Sequence, residues 1–314
     1  MDDSSVYVLN VIEDSQRAGP PRATLYRTPI GAPQEAATVL AEGTFSRFVV
    51  GPTHVYFVEH VRVDEPPNGG YRDLGRLFRV PRSGGSKELL TEGLELAYIE
   101  EPVLAGSHLY WLNSAYQPTS SLWRTSADAP GPIERVAGIS EHSTYNFMRS
   151  GTYFYWREKR TVSDSPRVVS NALVRLDIQS EGPQVDVLTW PEEEGLVTPY
   201  APIPMMPTPL GLFAMFGLED EPSRRLVHLP LEPHAAAQLT SLEELPPGPA
   251  SLGFHEGSVY YVSTHAQGIH QWNVKESRFS RLLPDLRGIS QLAVNDMGLF
   301  FVNAGRIQQL PHPD

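Results

Sequence analysis

Apolar residues in this chain fall in short runs rich in aromatic and β-branched types, bounded by Gly, Pro and charged residues. No segment sustains a 3.6-residue apolar period, so almost no helix is predicted and the runs read as strands. One run recurs with the pattern aliphatic, any residue, Arg/His/Gln, any residue, Pro or polar. Its copies are Leu25-Tyr26-Arg27-Thr28-Pro29, Leu77-Phe78-Arg79-Val80-Pro81, Leu122-Trp123-Arg124-Thr125-Ser126 and Leu173-Val174-Arg175-Leu176-Asp177. Leu226-Val227-His228-Leu229-Pro230, Ile269-His270-Gln271-Trp272-Asn273 and Ile307-Gln308-Gln309-Leu310-Pro311 complete seven copies. They follow one another 38 to 53 residues apart, which suits a four-stranded propeller blade of roughly 40–50 residues.

An aromatic-rich strand precedes each copy, Val6-Tyr7-Val8-Leu9 for the first and a strand after a Gly turn for the other six, as in Gly106…Tyr110-Trp111 and Gly257…Tyr260-Tyr261. A short strand follows, as in Val39-Leu40, Leu89-Leu90, Arg135-Val136 and Gln238-Leu239. Each unit thus reads as strand A, Gly turn, strand B, loop, strand C, turn, strand D. Aromatics occupy both parities of B and C, as expected where both faces of a sheet are covered by neighbours. The predicted fold is all-β: a single seven-bladed β-propeller of four-stranded antiparallel blades over residues 1–314. Its repeats fall near 1–43, 44–93, 94–138, 139–190, 191–241, 242–285 and 286–314. The first unit begins at strand B and the last ends after strand C, so the terminal blades are expected to be three-stranded. Tyr56, Tyr110, Tyr155 and Tyr260 share one repeat position and are assigned to packing between blades.

Two stretches carry a resemblance. Residues 292–303 resemble the repeat of YWTD-type propellers. Leu77-Phe78-Arg79-Val80-Pro81-Arg82-Ser83-Gly84-Gly85 with Glu88-Leu89-Leu90 resembles the repeat of TolB-like bacterial propellers. The resemblance implies the fold and carries no catalytic residue across, because such propellers include scaffolds, ligand binders and enzymes. No blade keeps an intact Tyr-Trp-Thr-Asp.

Composition narrows the partners. A formal net charge of −12 disfavours nucleic acid and anionic membrane surfaces. No apolar run is long enough to span a membrane. With no Cys, disulfides and thiolate chemistry are excluded. The first residues lack a basic region and apolar core, so no signal peptide is expected in this numbering; the protein is cytoplasmic or exported with its leader removed. The ten His show no metal-ligand spacing. His228 and His270 are placed on C strands, towards the outside. No metal or cofactor is predicted, and a monomer is expected.

Function is sought in the long connections. These are the B–C loops 10–23, 59–75, 113–121, 157–171 and 217–225, and the D–A connections 189–203 and 240–250. Both classes lie on one face of a propeller, and loops carry function on a rigid scaffold. Counting back from the Gly turns places strand A at Phe45-Ser46-Arg47, Glu100-Glu101-Pro102, Tyr145-Asn146-Phe147, Met205-Met206-Pro207, Ser251-Leu252-Gly253 and Leu292-Ala293-Val294. The ligand-binding candidates at the channel mouth are therefore Arg47, Glu100, Glu101, His142, Tyr145, Asn146 and Met205. Glu100 and Glu101 alternate on an extended strand and so are not an acid–base pair. Arg27, Arg79, Arg124 and Arg175 recur in one register and read as architecture. Two functions remain open. One is a binding scaffold for a protein, peptide, glycan or small molecule at the channel mouth. The other is an enzyme (lyase, hydrolase or cyclase) assembled from several blades at the same place.

Overall fold

A computed structural model describes residues 5–12, 22–30, 36–45, 47–65, 70–95, 102–113, 120–140, 143–150, 153–164, 167–178, 185–191, 205–217, 224–229, 240–245, 250–263, 267–304 and 306–313. The described residues form antiparallel sheets and no α-helix. The chain divides into two compact units, Met1–Met148 and Arg149–Asp314.

The first unit holds three sheets in chain order. The first has three strands, β1 (Ser5–Ile12), β2 (Arg22–Pro29) and β3 (Thr38–Gly43). The second joins β4 (Phe48–Val50), β5 (His54–Glu65), β6 (Gly70–Pro81) and β7 (Glu88–Glu95). The third joins β8 (Val103–Ala105), β9 (His108–Asn113), β10 (Ser120–Ser126) and β11 (Glu134–Ser140). The division falls within β12 (Ser143–Ser150), the first strand of the fourth sheet.

The second unit carries the rest of that sheet, β13 (Tyr153–Asp164), β14 (Arg167–Asp177) and β15 (Val185–Pro191). The fifth sheet is β16 (Met205–Thr208), β17 (Gly211–Gly217), β18 (Arg224–Leu229) and β19 (Thr240–Leu245). The sixth is β20 (Ala250–His255), β21 (Ser258–Ser263), β22 (Ile269–Asn273) and β23 (Arg278–Leu282). The seventh has three strands, β24 (Ile289–Asn295), β25 (Gly298–Asn303) and β26 (Arg306–Leu310). The three-stranded terminal sheets match the expectation from the repeat.

Successive sheets within a unit bury their faces on each other. Tyr7, Leu25 and Leu40 of the first sheet pack with Val55, Phe57 and Val80 of the second. On the second sheet's other face, Tyr56, Leu77 and Leu90 meet Leu109, Trp111 and Ala127 of the third. In the second unit Phe213 packs with Val259 and Tyr261, and Tyr260, Val262 and Ile269 pack with Ile289, Leu299 and Phe301. Alternate residues of one strand thus serve opposite cores, which is why both parities are apolar.

One rung of the B–C ladder repeats through all seven sheets. It pairs Tyr7 with Arg27, Tyr56 with Arg79, Tyr110 with Arg124 and Tyr155 with Arg175. The series continues as Phe213 with His228, Tyr260 with Gln271 and Phe300 with Gln309. A β-bulge also recurs. In the first five sheets the C–D register shifts directly after the aliphatic residue: after Leu25, Leu77, Leu122, Leu173 and Leu226. A bulge re-aims the extra residue, and here it turns Leu40 and Leu90 into the cores between sheets. The sixth sheet runs from Ile269↔Leu282 to Asn273↔Arg278 without a shift.

Several expectations need correcting. Segments 59–75 and 157–171 are paired ribbons and not loops. The β5–β6 ladder continues through His60↔Gly75 to Glu65↔Gly70, and the β13–β14 ladder to Asp164↔Arg167. Val61, Val63 and Tyr71 in one ribbon, and Thr161, Val162, Val168 and Val169 in the other, favour pairing beyond the four-stranded core. Strand D of the fifth sheet is Thr240–Leu245, following Gln238-Leu239, so part of the expected 240–250 connection is strand. Strand A begins later than back-counting gave in two sheets, because β4 and β8 have only three residues. His270 lies on the third strand of its sheet, as expected, and is buried there at 4% exposure. Its ring lies against Tyr261 and Phe279, at centroid distances of 5.6 and 5.4 Å.

Candidate functional site

The root of the β5–β6 ribbon gathers the first of the expected site residues. β5 pairs with β4 only through Val55–Phe57. Beyond that, the D–A connection takes β4's place. The His60 amide donates to the Thr44 carbonyl at 2.8 Å, and the Thr44 hydroxyl donates to the His60 carbonyl at 2.7 Å. The connection is further pinned by Phe45, which is fully buried with its ring centroid 4.5 Å from that of Phe57. Arg47 follows, exposed, one residue before β4.

Charge is concentrated at the same root. Lys87 donates to both Glu59 carboxylate oxygens, at 3.1 and 3.0 Å. Its ammonium lies 4.6 Å from the Phe78 ring centroid, a cation–π contact. Glu59 lies so close to Gly43 that a Cβ added there would overlap the carboxylate. A side chain at position 43 therefore displaces Glu59. Both partners of this ion pair keep some solvent exposure.

A second polar network sits at the base of the β13–β14 ribbon. Trp156, Arg157 and Glu158 are buried in succession on β13. Trp156 Nε1 donates to Glu158 Oε1 at 2.9 Å, and Arg160 Nε donates to Glu158 Oε2 at 2.8 Å. The Arg160 guanidinium then forms a bidentate pair with Asp186 of β15, at 2.6 and 2.7 Å. These bonds to Asp186 and Glu158 hold the Arg160 pKa above its ordinary value. Both Glu158 oxygens accept a hydrogen bond, so the network braces the ribbon more than it offers a proton acceptor.

The sixth and seventh sheets meet in an imidazole pair at the opposite, A–B turn end. His255 and His312 stack with centroids 3.9 Å apart and planes 8° apart. His255 Nε2 is 3.1 Å from Asp296 Oδ1, and His312 Nε2 is 2.6 Å from the Asn295 carbonyl. The Tyr260 ring centroid is 6.1 Å from that of His312, and burial raises the Tyr260 pKa. Sequence reasoning missed this cluster. Its two imidazoles are far apart in the chain, with no ligand spacing to signal them.

Of the other expected site residues, Met205 opens β16, half-buried and opposite Ala214. Tyr145 and Asn146 lie in β12. Glu100, Glu101 and His142 lie outside the described residues. Among the described residues no group of three or more His, Cys, Asp or Glu is arranged to hold a metal ion. No described helix is long and apolar enough to cross a membrane.

No family model matches the chain, and no curated protein matches it. Solved structures do. An oligogalacturonate lyase in complex with manganese aligns at a TM-score of 0.61 and 11% identity, over 99% of both chains. The β-propeller domain of the Trilobed protease from Pyrococcus furiosus, described as having an open velcro topology, aligns at 0.52 and 8% identity, over 86% of this chain and 83% of that one. A Mycobacterium tuberculosis puromycin-hydrolyzing peptidase aligns at 0.54 and 17% identity over 90% of this chain. The match covers 45% of the peptidase, so this chain spans less than half of that protein. At these identities the likeness is one of fold. The fold is a β-propeller, and the fold alone hosts enzymes as well as binding domains.

Proposed function

We propose that the chain is a binding scaffold whose seven sheets are the blades of one propeller with YWTD- or TolB-like repeats. Its ligand is held at the channel mouth, on the face from which the ribbons rise. Arg47, Glu100, Glu101, His142, Tyr145, Asn146 and Met205 surround it. The observation that carries this reading is the Thr44–His60 hydrogen-bond pair, which ties the D–A connection bearing Arg47 to the root of the β5–β6 ribbon. Connection and ribbon therefore act at one end of the sheet. The ribbon runs about five residue pairs past His60, roughly 17 Å at strand rise, a length the four-stranded core does not use.

The test is excision. Residues 61–74 are replaced by Asn-Gly, a two-residue hairpin turn between His60 and Gly75. Parent and variant are compared on glycan and peptide arrays and by thermal melting. The expected result is array binding by the parent, lost in the excised variant and in Arg47→Ala, with little change in melting temperature. Equal binding by all three proteins overturns the placement. A second reading, an enzyme at the same mouth, is favoured by the full-length likeness to the oligogalacturonate lyase. Incubation with oligogalacturonate and Mn²⁺, followed by the ultraviolet absorbance of the unsaturated product, decides it. Turnover lost in Arg47→Ala replaces the scaffold reading with the enzyme.

A further inference from the structure

Seven copies of one aliphatic position allow an internal comparison. Leu25, Leu77, Leu122, Leu173 and Ile269 are each no more than 1% exposed. Ile307, in the same repeat position on β26, is 38% exposed. The difference lies in what stands opposite on the D side. In the sixth sheet Ile269 faces Leu282, and Gln271 faces Ser280, whose hydroxyl donates to Gln271 Oε1 at 3.0 Å. In the seventh sheet β26 is the last strand, with β25 its one neighbour among the described residues. Gln309 takes the place of Gln271 and donates through Nε2 to the Met297 carbonyl at 3.0 Å. This fixes the orientation of its amide on β26.

We propose that the outer edge of β26 receives a further antiparallel strand from a partner polypeptide. The partner segment is extended and cationic, with Ser or Thr opposite Gln309 and an aliphatic residue two positions later, opposite Ile307. The register is that of β23 on β22, where Ser280 and Leu282 occupy those places. Main-chain hydrogen bonds to an open edge supply affinity, and the side chains at alternate positions select the sequence. Charge selects in the same direction. The chain carries a net charge of −12, which draws in a cationic segment and repels a second copy of itself.

The probe is a fluorescein-labelled peptide copying residues 275–284, with three cationic residues and one acidic. Anisotropy titration against the parent is expected to saturate. Affinity falls at least about tenfold when the peptide's Ser280 becomes Ala together with Leu282→Asp, a change that leaves the protein untouched. The protein variant Ile307→Asp, at an exposed position, gives the same loss with an unchanged melting temperature. Hydrogen exchange reports the site directly: β26 amides that do not bond to β25 become protected only when peptide is added. Three results overturn the proposal. They are equal binding by the altered peptide or by Ile307→Asp, protection without peptide of the β26 amides that do not bond to β25, and self-association of the parent that Ile307→Asp abolishes.

Discussion

The second and sixth sheets solve the same structural problem with different chemistry. In the second, the repeated rung is Tyr56, Arg79 and Glu88 across strands B, C and D. Arg79 donates to Glu88 at 2.7 Å and to the Ala127 carbonyl of the third sheet at 2.9 Å, so one guanidinium ties two sheets together. In the sixth, the rung is Tyr260, Gln271 and Ser280. Here a neutral amide donates to Ser258 Oγ at 3.2 Å and accepts from Ser280. The bulge separates the two as well, present after Leu77 and missing after Ile269. What survives the exchange is the buried Tyr, at 3% exposure in both sheets. The aromatic is what the architecture requires. The polar group beside it is an interchangeable way of satisfying the rung.

If that is right, removing the tyrosine costs the most, and costs alike in both places. Tyr56 packs against Leu77, Leu109 and Trp111, and Tyr260 against Ile269, Ile289 and Leu299. Tyr56→Ala and Tyr260→Ala should each destabilise by about 3–5 kcal/mol, the usual range for truncating a buried aromatic. Urea unfolding of the two variants measures this. A loss below about 1 kcal/mol at either site would mean that sheet's interface does not depend on its aromatic.

A medium effect distinguishes the two sheets by pH. The residue just before the rung's polar group is Phe78 in the second sheet and His270 in the sixth. Burial, with nearby Arg281 adding to it and a backbone bond at Gln267 opposing it, lowers the His270 pKa to about 4. The unfolded chain takes up this proton near pH 6.5. Between those values the unfolded state binds more protons, so the stabilisation is complete above pH 6.5 and drains as the pH falls towards 4. The loss reaches about 3 kcal/mol at most. His270→Phe, which copies the second sheet, should flatten that part of the stability curve. An unchanged slope in the variant would assign the acid sensitivity to other groups.

The fold was legible because its information repeats. Seven copies of the C strand, each with an aromatic partner and six with a Gly turn, make a pattern that no single noisy segment obscures. Gly106 and Gly257, for example, take positive φ values of 58° and 80° at their turns, as a Gly between strands A and B suggested. What did not repeat was read poorly. Residues 59–75 read as a B–C loop, although Asn68-Gly69 between alternating arms is also a hairpin signal in the sequence. The bulges left no trace, since Leu40 and Leu90 look like ordinary strand residues until the register is known. Of the expected site residues, Arg47 lies in a connection, where counting from the Gly turns misplaced it, while Tyr145, Asn146 and Met205 lie in strands. The partnership of His255 with His312 depends on tertiary packing alone.

The smallest effect tests the exchange of chemistry itself. Arg79→Gln gives the second sheet the sixth sheet's polar group. It removes the Glu88 ion pair and leaves the Ala127 carbonyl short of a donor, at a cost of about 1–2 kcal/mol in dilute buffer. Arg79 is 13% exposed in its side chain but Glu88 is 47% exposed, so part of the attraction runs through solvent. Added salt should shrink the ion-pair share and leave the loss at Ala127 untouched. Gln271→Ala removes neutral hydrogen bonds only, so its cost of about 1 kcal/mol should not change with salt. Urea unfolding of both variants at low and high ionic strength makes the comparison. A salt-independent cost for Arg79→Gln would show that its guanidinium serves the second sheet as a neutral donor would. The difference between the rungs would then be one of size and reach, with charge adding nothing. A cost that falls with salt in one rung and stays flat in the other would confirm two distinct chemistries around the same buried ring.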